Sequence, residues 1–324
     1  MFYNEDCISG AKKYLADNSI DLIVTDPPYG ISGDKLDKHY NRNEDNVISG
    51  YVEVAETDYP NFSLAWIKEA ERVLKPGGSI YIVSGYTHLR HILNALAETS
   101  LEERNHIIWK YNFGVYTKTK YVSSHYHILY YTKPFGKVTF NTYAFYADSE
   151  KDKAGGSLNY QDREDVWIIN REYKPGQIKN KNELPKSLLT KIIMYSSNPD
   201  DMVCDFFLGS FSTAKVAIGL GRNACGFEIN KNAFDYQIEI MKEIKKGELI
   251  ETLRKVPNNK LFQQGKPLSD KEIKDIVEEY NNYYKSGYTK KNVIELLSEK
   301  FGRGYFSISK ILSQQKNQSE NTLF

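Results

Sequence analysis

The residues best suited to chemistry form the segment Asp26-Pro27-Pro28-Tyr29, which directly follows the apolar run from Leu22 to Thr25. This run is typical of a buried parallel strand, since the residues on both faces are apolar or β-branched. The prolines end such a strand, because neither has an N–H for the sheet and each fixes φ. The stiff loop presents a carboxylate, backbone carbonyls and an aromatic ring, which together suit a planar group with an amino substituent. From the residues alone, a rigid turn with a surface acid is the alternative.

A second segment with chemical potential is Val203-Cys204-Asp205-Phe206-Phe207-Leu208-Gly209-Ser210-Phe211-Ser212-Thr213-Ala214. It predicts a strand, an acid, a turn and a helix N-terminus, whose free N–H groups and partial positive charge can hold a carboxylate. Gly209 lets a ligand approach the backbone closely. Glu228 ends the next predicted strand, where an acid can bind a ribose diol. The turn is neither G-x-G-x-x-G nor a P-loop, so these residues indicate a nucleotide-type ligand without specifying it.

The elements that must position these segments alternate between strands and helices. Strands are predicted at 1–4, 22–25, 79–84, 104–110, 125–131, 201–205 and 223–227. Helices are predicted at 63–74, 88–98, 184–195, 212–220 and 232–245, and another runs from an N-cap at Ser9 to residue 16. Repeated strand–helix units predict an α/β fold with a doubly wound, mostly parallel Rossmann-like sheet. Asp26 and Asp205 are then expected at the same edge of the sheet, outside the carboxyl ends of their strands.

The motifs and their order resemble those of the amino DNA methyltransferases that use S-adenosylmethionine, specifically the circularly permuted β group. That group has the Asp-Pro-Pro-Tyr motif first and the cofactor motif near the C-terminus. The resemblance covers about residues 1–245 and implies that the catalytic residues are Asp26, Pro27, Pro28 and Tyr29. It also implies cofactor contacts by Asp6, Cys7, Asp205, Phe206, Phe207, Leu208, Gly209, Ser210, Ser212, Thr213, Glu228 and Asn230.

The chain departs from the family pattern around the cofactor turn. Phe206 stands where the family has a proline, and Phe211 stands where it has its second glycine. Of the family's His-Pro-Thr-Gln-Lys-Pro segment before the helix, only Pro185 is kept in residues 180–185. These changes affect the predicted contacts with the methionine end of the cofactor.

The resemblance implies methyl transfer from S-adenosylmethionine to the exocyclic amino group of a base flipped out of duplex DNA. Asp26 and the Pro27 carbonyl would accept the two amino hydrogens, and Tyr29 would stack on the base. Aspartate in this motif goes more often with adenine, so adenine N6 is the predicted target and cytosine N4 is the alternative. An RNA or protein amide methyltransferase and a catalytically silent DNA-binding homologue are further alternatives.

DNA contacts are predicted in the loop 31–60, in the basic aromatic tract 110–125 and in the region 133–182. The lysines that can contact phosphates there are Lys118, Lys120, Lys133, Lys137, Lys174, Lys179 and Lys181. Taken singly, each of them is more often a solvated surface side chain. The six histidines show no zinc-ligand spacing, so no metal is predicted. His125 and His127 are interpreted as structural residues on one face of a strand.

The predicted organisation has a catalytic half at 1–132, a target-recognition region at 133–182 and a cofactor-binding half at 183–250. Residues 266–315 are predicted to form a separate helical unit, with N-caps at Ser269 and Thr289 and a turn at Gly302-Arg303-Gly304. Such a unit can be a helix-turn-helix, a helical cap or a dimerisation piece. Residues 316–324 are expected to be a disordered tail.

The composition limits the class of protein. The chain has 324 residues, of which 40% are hydrophobic and 26% charged, as is ordinary for a soluble globular protein. Its net charge is +1, so DNA contacts must come from local basic patches. The three cysteines lack metal-ligand spacing, and neither a signal peptide nor a membrane-spanning run is evident, which indicates a cytoplasmic protein. The expected partners are duplex DNA, a cognate restriction endonuclease and a second copy of the chain, with no membrane.

Overall fold

The computed structural model of the chain describes residues 1–28, 54–112, 114, 116, 118–171, 183–256 and 268–320, with side chains in the last segment as far as residue 314. Several predicted site residues therefore lie outside the described residues: Tyr29, the loop residues 31–53, Lys174, Lys179 and Lys181. Contacts within the chain divide it into two compact units. The first comprises Met1–Ala144 and Arg163–Leu253, and the second comprises Phe145–Asp162 and Arg254–Phe324.

The described strands of the first unit are β1 (Phe2–Tyr3), β2 (Ile20–Thr25), β3 (Leu74–Ser84), β4 (Glu102–Lys110), β5 (His125–Thr132), β6 (Val166–Ile168), β7 (Met202–Asp205) and β8 (Asn223–Phe227). They form one sheet with the strand order β1-β8-β7-β2-β3-β5-β4-β6. Its helices are α1 (Cys7–Tyr14), α2 (Tyr59–Val73), α3 (Leu89–Ala97), α5 (Lys186–Ser196), α6 (Ser212–Gly219) and α7 (Lys231–Met241), followed by a short 3-10 helix (Ile250–Thr252).

Both faces of this sheet are covered, because successive side chains of β2 pack into two different cores. Ile23 packs into a core with residues of α1, α2 and α3. Leu22 and Val24 pack into a second core with residues of α5 and α6. A strand buried on both faces reads as a continuous apolar run, which is why β2 could be predicted from sequence. The predicted fold class, a doubly wound and mostly parallel α/β sheet, is confirmed.

Three features of the sheet differ from the simplest prediction. β5 runs antiparallel to both β3 and β4, which makes the sheet mixed. α2 spans Tyr59–Val73 instead of the predicted 63–74, and β3 begins at once at Leu74 instead of at the predicted residue 79. The short strand β6 lies within the predicted target-recognition region and pairs in parallel with β4, so part of that region extends the main sheet. The Asp26 segment precedes the Asp205 segment in the chain, which is compatible with the permuted order.

The second unit contains a short helix, α4 (Leu158–Asp162), and three longer ones, α8 (Asp270–Lys285), α9 (Lys290–Phe301) and α10 (Tyr305–Glu320). The predicted N-caps are in place, because Ser269 accepts from the N–H of Glu272 and Thr289 accepts from the N–H of Asn292. The expected disordered tail begins instead as helix, since α10 continues to Glu320, and residues 321–324 lie outside the described residues. Within the described residues, no helix combines the length and apolar character that crossing a membrane requires.

Candidate active site

The carboxyl ends of β2 and β7 meet at the centre of the sheet. The two strands are parallel neighbours, with Leu22 opposite Val203 and Ile23 opposite Cys204. At their ends, the Thr25 hydroxyl donates a hydrogen bond of 2.9 Å to Oδ1 of Asp205, and both side chains are buried. This bond joins the strand that leads into Asp26 to the strand that leads into the second motif. The structure therefore brings the two predicted motifs together at one edge.

The Asp-Pro-Pro loop is held from α2. Asp26 is half-buried and Pro27 is buried. The Tyr59 hydroxyl donates 2.8 Å to the carbonyl oxygen of Pro28, and the Tyr59 ring lies 4.5 Å from that of His88. Tyr59 was not predicted as a site residue, since its signal is only a tyrosine at the start of a helix far along the chain. It fixes the position of the loop that carries Asp26.

The second motif forms a turn whose backbone is tied down at successive residues. The N–H of Phe207 donates 3.0 Å to Asp205 Oδ1, and the N–H of Leu208 donates 2.9 Å to the carbonyl of Phe227. Lys215, which the sequence did not single out, donates from Nζ to the Ser210 carbonyl at 2.7 Å. The turn is therefore preorganised by contacts with its own strand, with β8 and with α6.

Glu228 lies at the end of β8 and faces this turn. Its Oε2 accepts 2.9 Å from the N–H of Gly209, and its Oε1 accepts 2.7 Å from the N–H of Asn230. Each carboxylate oxygen keeps capacity for a further hydrogen bond. Burial raises the pKa of Glu228, and the two backbone N–H groups lower it in part. Burial likewise raises the pKa of Asp205, against the lowering effect of the Phe207 N–H.

Glycine 226 is needed for this arrangement because β7 and β8 approach closely there. A Cβ at this position would overlap the carbonyl oxygen of Asp205 and crowd the side chain of Leu208. The sequence gives no sign of this requirement, because the glycine lies inside a strand rather than in the turn.

Several predicted cofactor residues have side chains in the core. Phe206 packs near Trp66 and Phe227, and Leu208 is buried in the core on the other face of the sheet. Phe211 is fully buried against Phe2 and Phe234. Any cofactor contact by these residues must come from their backbone.

Phe211 adopts a left-handed conformation, with φ 60° and ψ 21°, as the N-cap of α6. This conformation costs a non-glycine residue roughly 1–2 kcal/mol, which explains why the resembled family has glycine there. The ring does not obstruct the turn, because it is packed into the core. Its buried aromatic contacts offset the backbone cost.

The N-cap of α1 is a different residue from the one that the sequence predicted. Asp6, rather than Ser9, is the N-cap of α1, because its Oδ1 accepts 3.0 Å bonds from the N–H groups of Ile8 and Ser9. Both residues are acceptable N-caps and lie three positions apart, so spacing alone did not separate them. Cys7 is buried, and burial raises the pKa of its thiol well above the ordinary value.

The start of α6 is where the sequence predicts a site for an anion. The N-cap Phe211 has no side-chain acceptor to bind the first N–H groups of the helix, which begins with Ser212 and Thr213. Free N–H groups at a helix N-terminus suit a carboxylate. Together with Glu228, which suits a ribose, the described residues fit a ligand with a nucleoside and a carboxylate.

The predicted phosphate contacts separate into two groups. Lys118, Lys120 and Lys137 are exposed. Lys133 is committed elsewhere, since its Nζ donates to the carbonyls of Glu71 and Leu74 at 2.7 and 2.8 Å and to Asn18 at 2.9 Å. We therefore correct its assignment: Lys133 caps the C-terminal end of α2 instead of contacting DNA.

An arginine that was not predicted lies at the same edge of the sheet. The guanidinium of Arg171 stands 5.0 Å from the ring centre of Tyr111 and 5.3 Å from that of Tyr126. The Trp109 ring is 5.9 Å away. Three aromatic rings thus hold one cation beside the tract 110–125, where Tyr116 and Tyr121 are 78% and 98% exposed.

The histidines of β4 and β5 form a cluster. His106 Nε2 and His127 Nδ1 are 2.8 Å apart, and the His125 ring lies 5.1 Å from that of His127. Burial, with the charges of His106 and His125, lowers the pKa of His127 to about 4. Among the described residues, no group of three or more His, Cys, Asp or Glu could hold a metal ion.

An acid-bearing loop on one central strand and a glycine turn on its neighbour lie where doubly wound α/β sheets bind their ligands, outside the carboxyl ends of the strands. Residues 20–242 match the family described as DNA methylase. The chain belongs to this DNA methylase family, which confirms the predicted class of enzyme.

Named relatives agree with the family. The chain is 32% identical over 263 residues to the Type II methyltransferase M.HpaI of Haemophilus parainfluenzae, covering 77% of each chain. It is 32% identical over 239 residues to the DNA adenine methyltransferase YhdJ of Escherichia coli (strain K12), covering 69% of this chain and 76% of that protein. The crystal structure of an M1.HpyAVI–SAM complex shares the fold, with a TM-score of 0.50 and 22% identity over 74% of this chain and 97% of the other.

Proposed function

We propose that this protein transfers a methyl group from S-adenosylmethionine to the N6 amino group of an adenine flipped out of duplex DNA. The observation that carries this proposal is the Thr25–Asp205 hydrogen bond, which places the Asp26 loop and the Asp205–Gly209 turn at the same edge. One side of the site can then hold the base, and the other can hold the methyl donor.

The cofactor side is provided by the turn, by Glu228 and by the start of α6. The remaining lone pairs of the Glu228 carboxylate would accept hydrogen bonds from the ribose hydroxyls, and the first N–H groups of α6 would bind the carboxylate of the methionine end. When bound, S-adenosylmethionine supplies an electrophilic methyl group. Because the turn is already fixed by Asp205, Phe227 and Lys215, binding needs little reordering of the backbone.

The base side is provided by the Asp26 loop. The adenine amino nitrogen is a weak nucleophile, since its lone pair is delocalised into the ring. Asp26 and the Pro27 carbonyl accept its two hydrogens and favour a pyramidal nitrogen with its lone pair directed outward. The neighbouring Pro28 carbonyl accepts a hydrogen bond from Tyr59, which holds the loop that carries Asp26 and Pro27. These hydrogen bonds strengthen toward the transition state and orient the nitrogen.

Adenine is favoured over cytosine by two observations. The motif carries an aspartate at position 26, as the adenine enzymes of the resembled family more often do. One relative at 32% identity is named a DNA adenine methyltransferase. The name Type II methyltransferase of another relative supports a place in a restriction–modification system, with a cognate endonuclease as a proposed partner.

The proposed DNA contacts lie at Lys118, Lys120, Lys137 and Arg171. The first three are exposed, and Arg171 is held by its aromatic neighbours with the cation at the edge that carries Asp26. Exposed tyrosines beside lysines, as at Tyr116 and Tyr121, suit stacking on an unpaired base.

The experiment that tests the catalytic role compares Asp26→Ala with wild type in transfer of labelled methyl groups to duplex DNA. We expect the rate to fall by about 10²–10³-fold, because hydrogen bonds made in the transition state are lost. Calorimetry should show unchanged affinity for S-adenosylmethionine, since Asp26 is outside the turn. The matched control is Asp235→Ala, an exposed acid of α7 paired with Lys231. A rate within a few fold of wild type would remove Asp26 from the mechanism.

A further inference from the structure

The helices α9 and α10 are joined by a turn of only three residues, 302–304. Gly302 takes the left-handed conformation, with φ 60° and ψ 33°, and its N–H donates to the carbonyl of Ser298. A short turn with a left-handed glycine between two helices is the connection used in helix-turn-helix motifs. Helix α8 completes a three-helix unit.

The turn is fixed against α8 by a nearly buried ion pair. The Arg303 guanidinium donates from Nε and Nη2 to the two carboxylate oxygens of Glu272, at 2.9 and 2.8 Å. The Arg303 N–H donates to the Ser298 carbonyl, and the Ser298 hydroxyl donates back to the Arg303 carbonyl. The three helices share a common core, composed of Ile276, Val293, Ile294, Leu297, Ile308 and Ile311. The angle between α9 and α10 is therefore held by packing and by the turn.

One face of α10 is left exposed by this packing. The other exposed residues of this face lie three or four positions from Lys310, as on one side of a helix, and are Phe306, Ser313 and Gln314. Phe306 is 84% exposed, although a phenylalanine ring is costly to leave in water. The opposite face, with Ile308 and Ile311, is buried in the core.

The charges of the unit are divided between its helices. α10 contains Lys310 and Lys316, and its acidic residue is Glu320, the last residue of the helix. α8 carries acids on successive turns: Asp270, Glu272, Asp275, Glu278 and Glu279. The exposed face formed by Phe306, Lys310, Ser313 and Gln314 carries an amine, a hydroxyl and an amide and no carboxylate, so it is complementary to the phosphates and base edges of a duplex. An exposed aromatic ring can contact the methyl group of thymine in the major groove.

We propose that α8, α9 and α10 form a helix-turn-helix that binds duplex DNA, with the Phe306–Lys310 face of α10 in the major groove. The occupant is duplex DNA rather than a second copy of this chain. The exposed face carries Lys310 and no acid, which matches phosphates, whereas a homodimeric interface would bring the Lys310 side chains of two copies together. The proposal adds a DNA-binding function to the methyl-transfer site and does not depend on which base is methylated.

The test uses the full-length protein with the substitutions Phe306→Ala and Lys310→Gln combined. Both side chains are exposed, so the fold should be kept, and circular dichroism melting checks this. The matched control is Lys274→Gln, an exposed lysine of α8. Affinity for a fluorescent duplex is measured over a range of salt concentrations, alongside affinity for S-adenosylmethionine.

We expect the double variant to bind duplex DNA at least about tenfold more weakly than wild type. The slope of log K plotted against log[salt] should become shallower by about one unit, because one phosphate contact is lost. The control and the cofactor affinity should match wild type. Unchanged DNA affinity and an unchanged salt slope would overturn the proposal. So would a variant whose molar mass by light scattering changes while its DNA affinity does not, because the face would then bind a second copy of the chain. Failure of the wild type to methylate DNA would count against the proposed function alone, because DNA binding is measured separately.

Discussion

The Tyr59 hydroxyl donates a hydrogen bond to the carbonyl oxygen of Pro28, two residues after Asp26. Tyr59→Phe leaves that partly buried carbonyl without the hydroxyl donor. We expect a loss of about 1 kcal/mol of stability and a several-fold lower methyl-transfer rate, because the loop gains freedom. Chemical denaturation and single-turnover kinetics measure the two effects. Tyr86→Phe, at a side chain that is 60% exposed, is the control, and an equal response of both variants would contradict the role.

Glu228 uses both carboxylate oxygens as acceptors of backbone N–H groups, so a glutamine in its place supplies only one acceptor. We expect Glu228→Gln to leave the N–H of Gly209 or of Asn230 unpaired, at a cost of about 1–3 kcal/mol. Affinity for S-adenosylmethionine, measured by calorimetry, should fall about tenfold or more. Glu239→Gln on the surface of α7 should have no effect. The same affinity in both variants would show that Glu228 does not hold the ligand.

Lys133 and Phe211 show where residue type alone is insufficient. A lysine near predicted DNA-binding segments looks like a phosphate contact, yet Lys133 binds backbone carbonyls some 60 positions earlier in the chain. Phe211 occupies a left-handed position whose conformation cannot be read from a phenylalanine. Both depend on contacts between residues far apart in the sequence.

At the scale of elements, the approach of β7 and β8 depends on Gly226. A methyl group there would press on the Asp205 carbonyl, so Gly226→Ala should cost about 1–3 kcal/mol through overpacking. It should also displace the turn and weaken binding of S-adenosylmethionine. Thermal melting and calorimetry test both effects. Gly304→Ala is the control, because a Cβ there meets nothing within 4 Å, and wild-type affinity in Gly226→Ala would contradict the close approach.

The elements themselves were largely predictable because their signals are local. The caps at Ser269 and Thr289 and the apolar run of β2 depend on neighbouring residues, and all three are found as expected. β6 was missed, because three residues carry too little periodicity to predict a strand. The antiparallel direction of β5 is set by pairing with β3 and β4 rather than by its own sequence.

At the scale of the whole molecule, His127 makes folding stability depend on pH. In the unfolded chain this histidine binds a proton near its ordinary pKa of 6.5, whereas in the fold its pKa is about 4. The unfolded state therefore binds more protons between these values, and stability should fall as pH drops from 6.5 to 4. His127→Gln should flatten this part of the curve of melting temperature against pH. Parallel curves for variant and wild type would contradict the lowered pKa.

The meeting of Asp26 and Asp205 was predictable from sequence because it follows from a rule of architecture. Parallel strands of one sheet end at one edge, whatever the distance between them in the chain. The side chains that lock the meeting point, Thr25, Tyr59 and Lys215, were not predictable, since each forms a specific contact that only the folded chain defines.

The most direct test of the central claim is the chemical identity of the product. Genomic DNA from a methylation-free host is incubated with the protein and S-adenosylmethionine labelled in its methyl group, digested to nucleosides and separated by liquid chromatography with mass spectrometry. The expected result is labelled N6-methyldeoxyadenosine, which Asp26→Ala forms about 10²–10³-fold more slowly. Labelled N4-methyldeoxycytidine would contradict the choice of base. Absence of any labelled nucleoside would contradict the two-sided site itself.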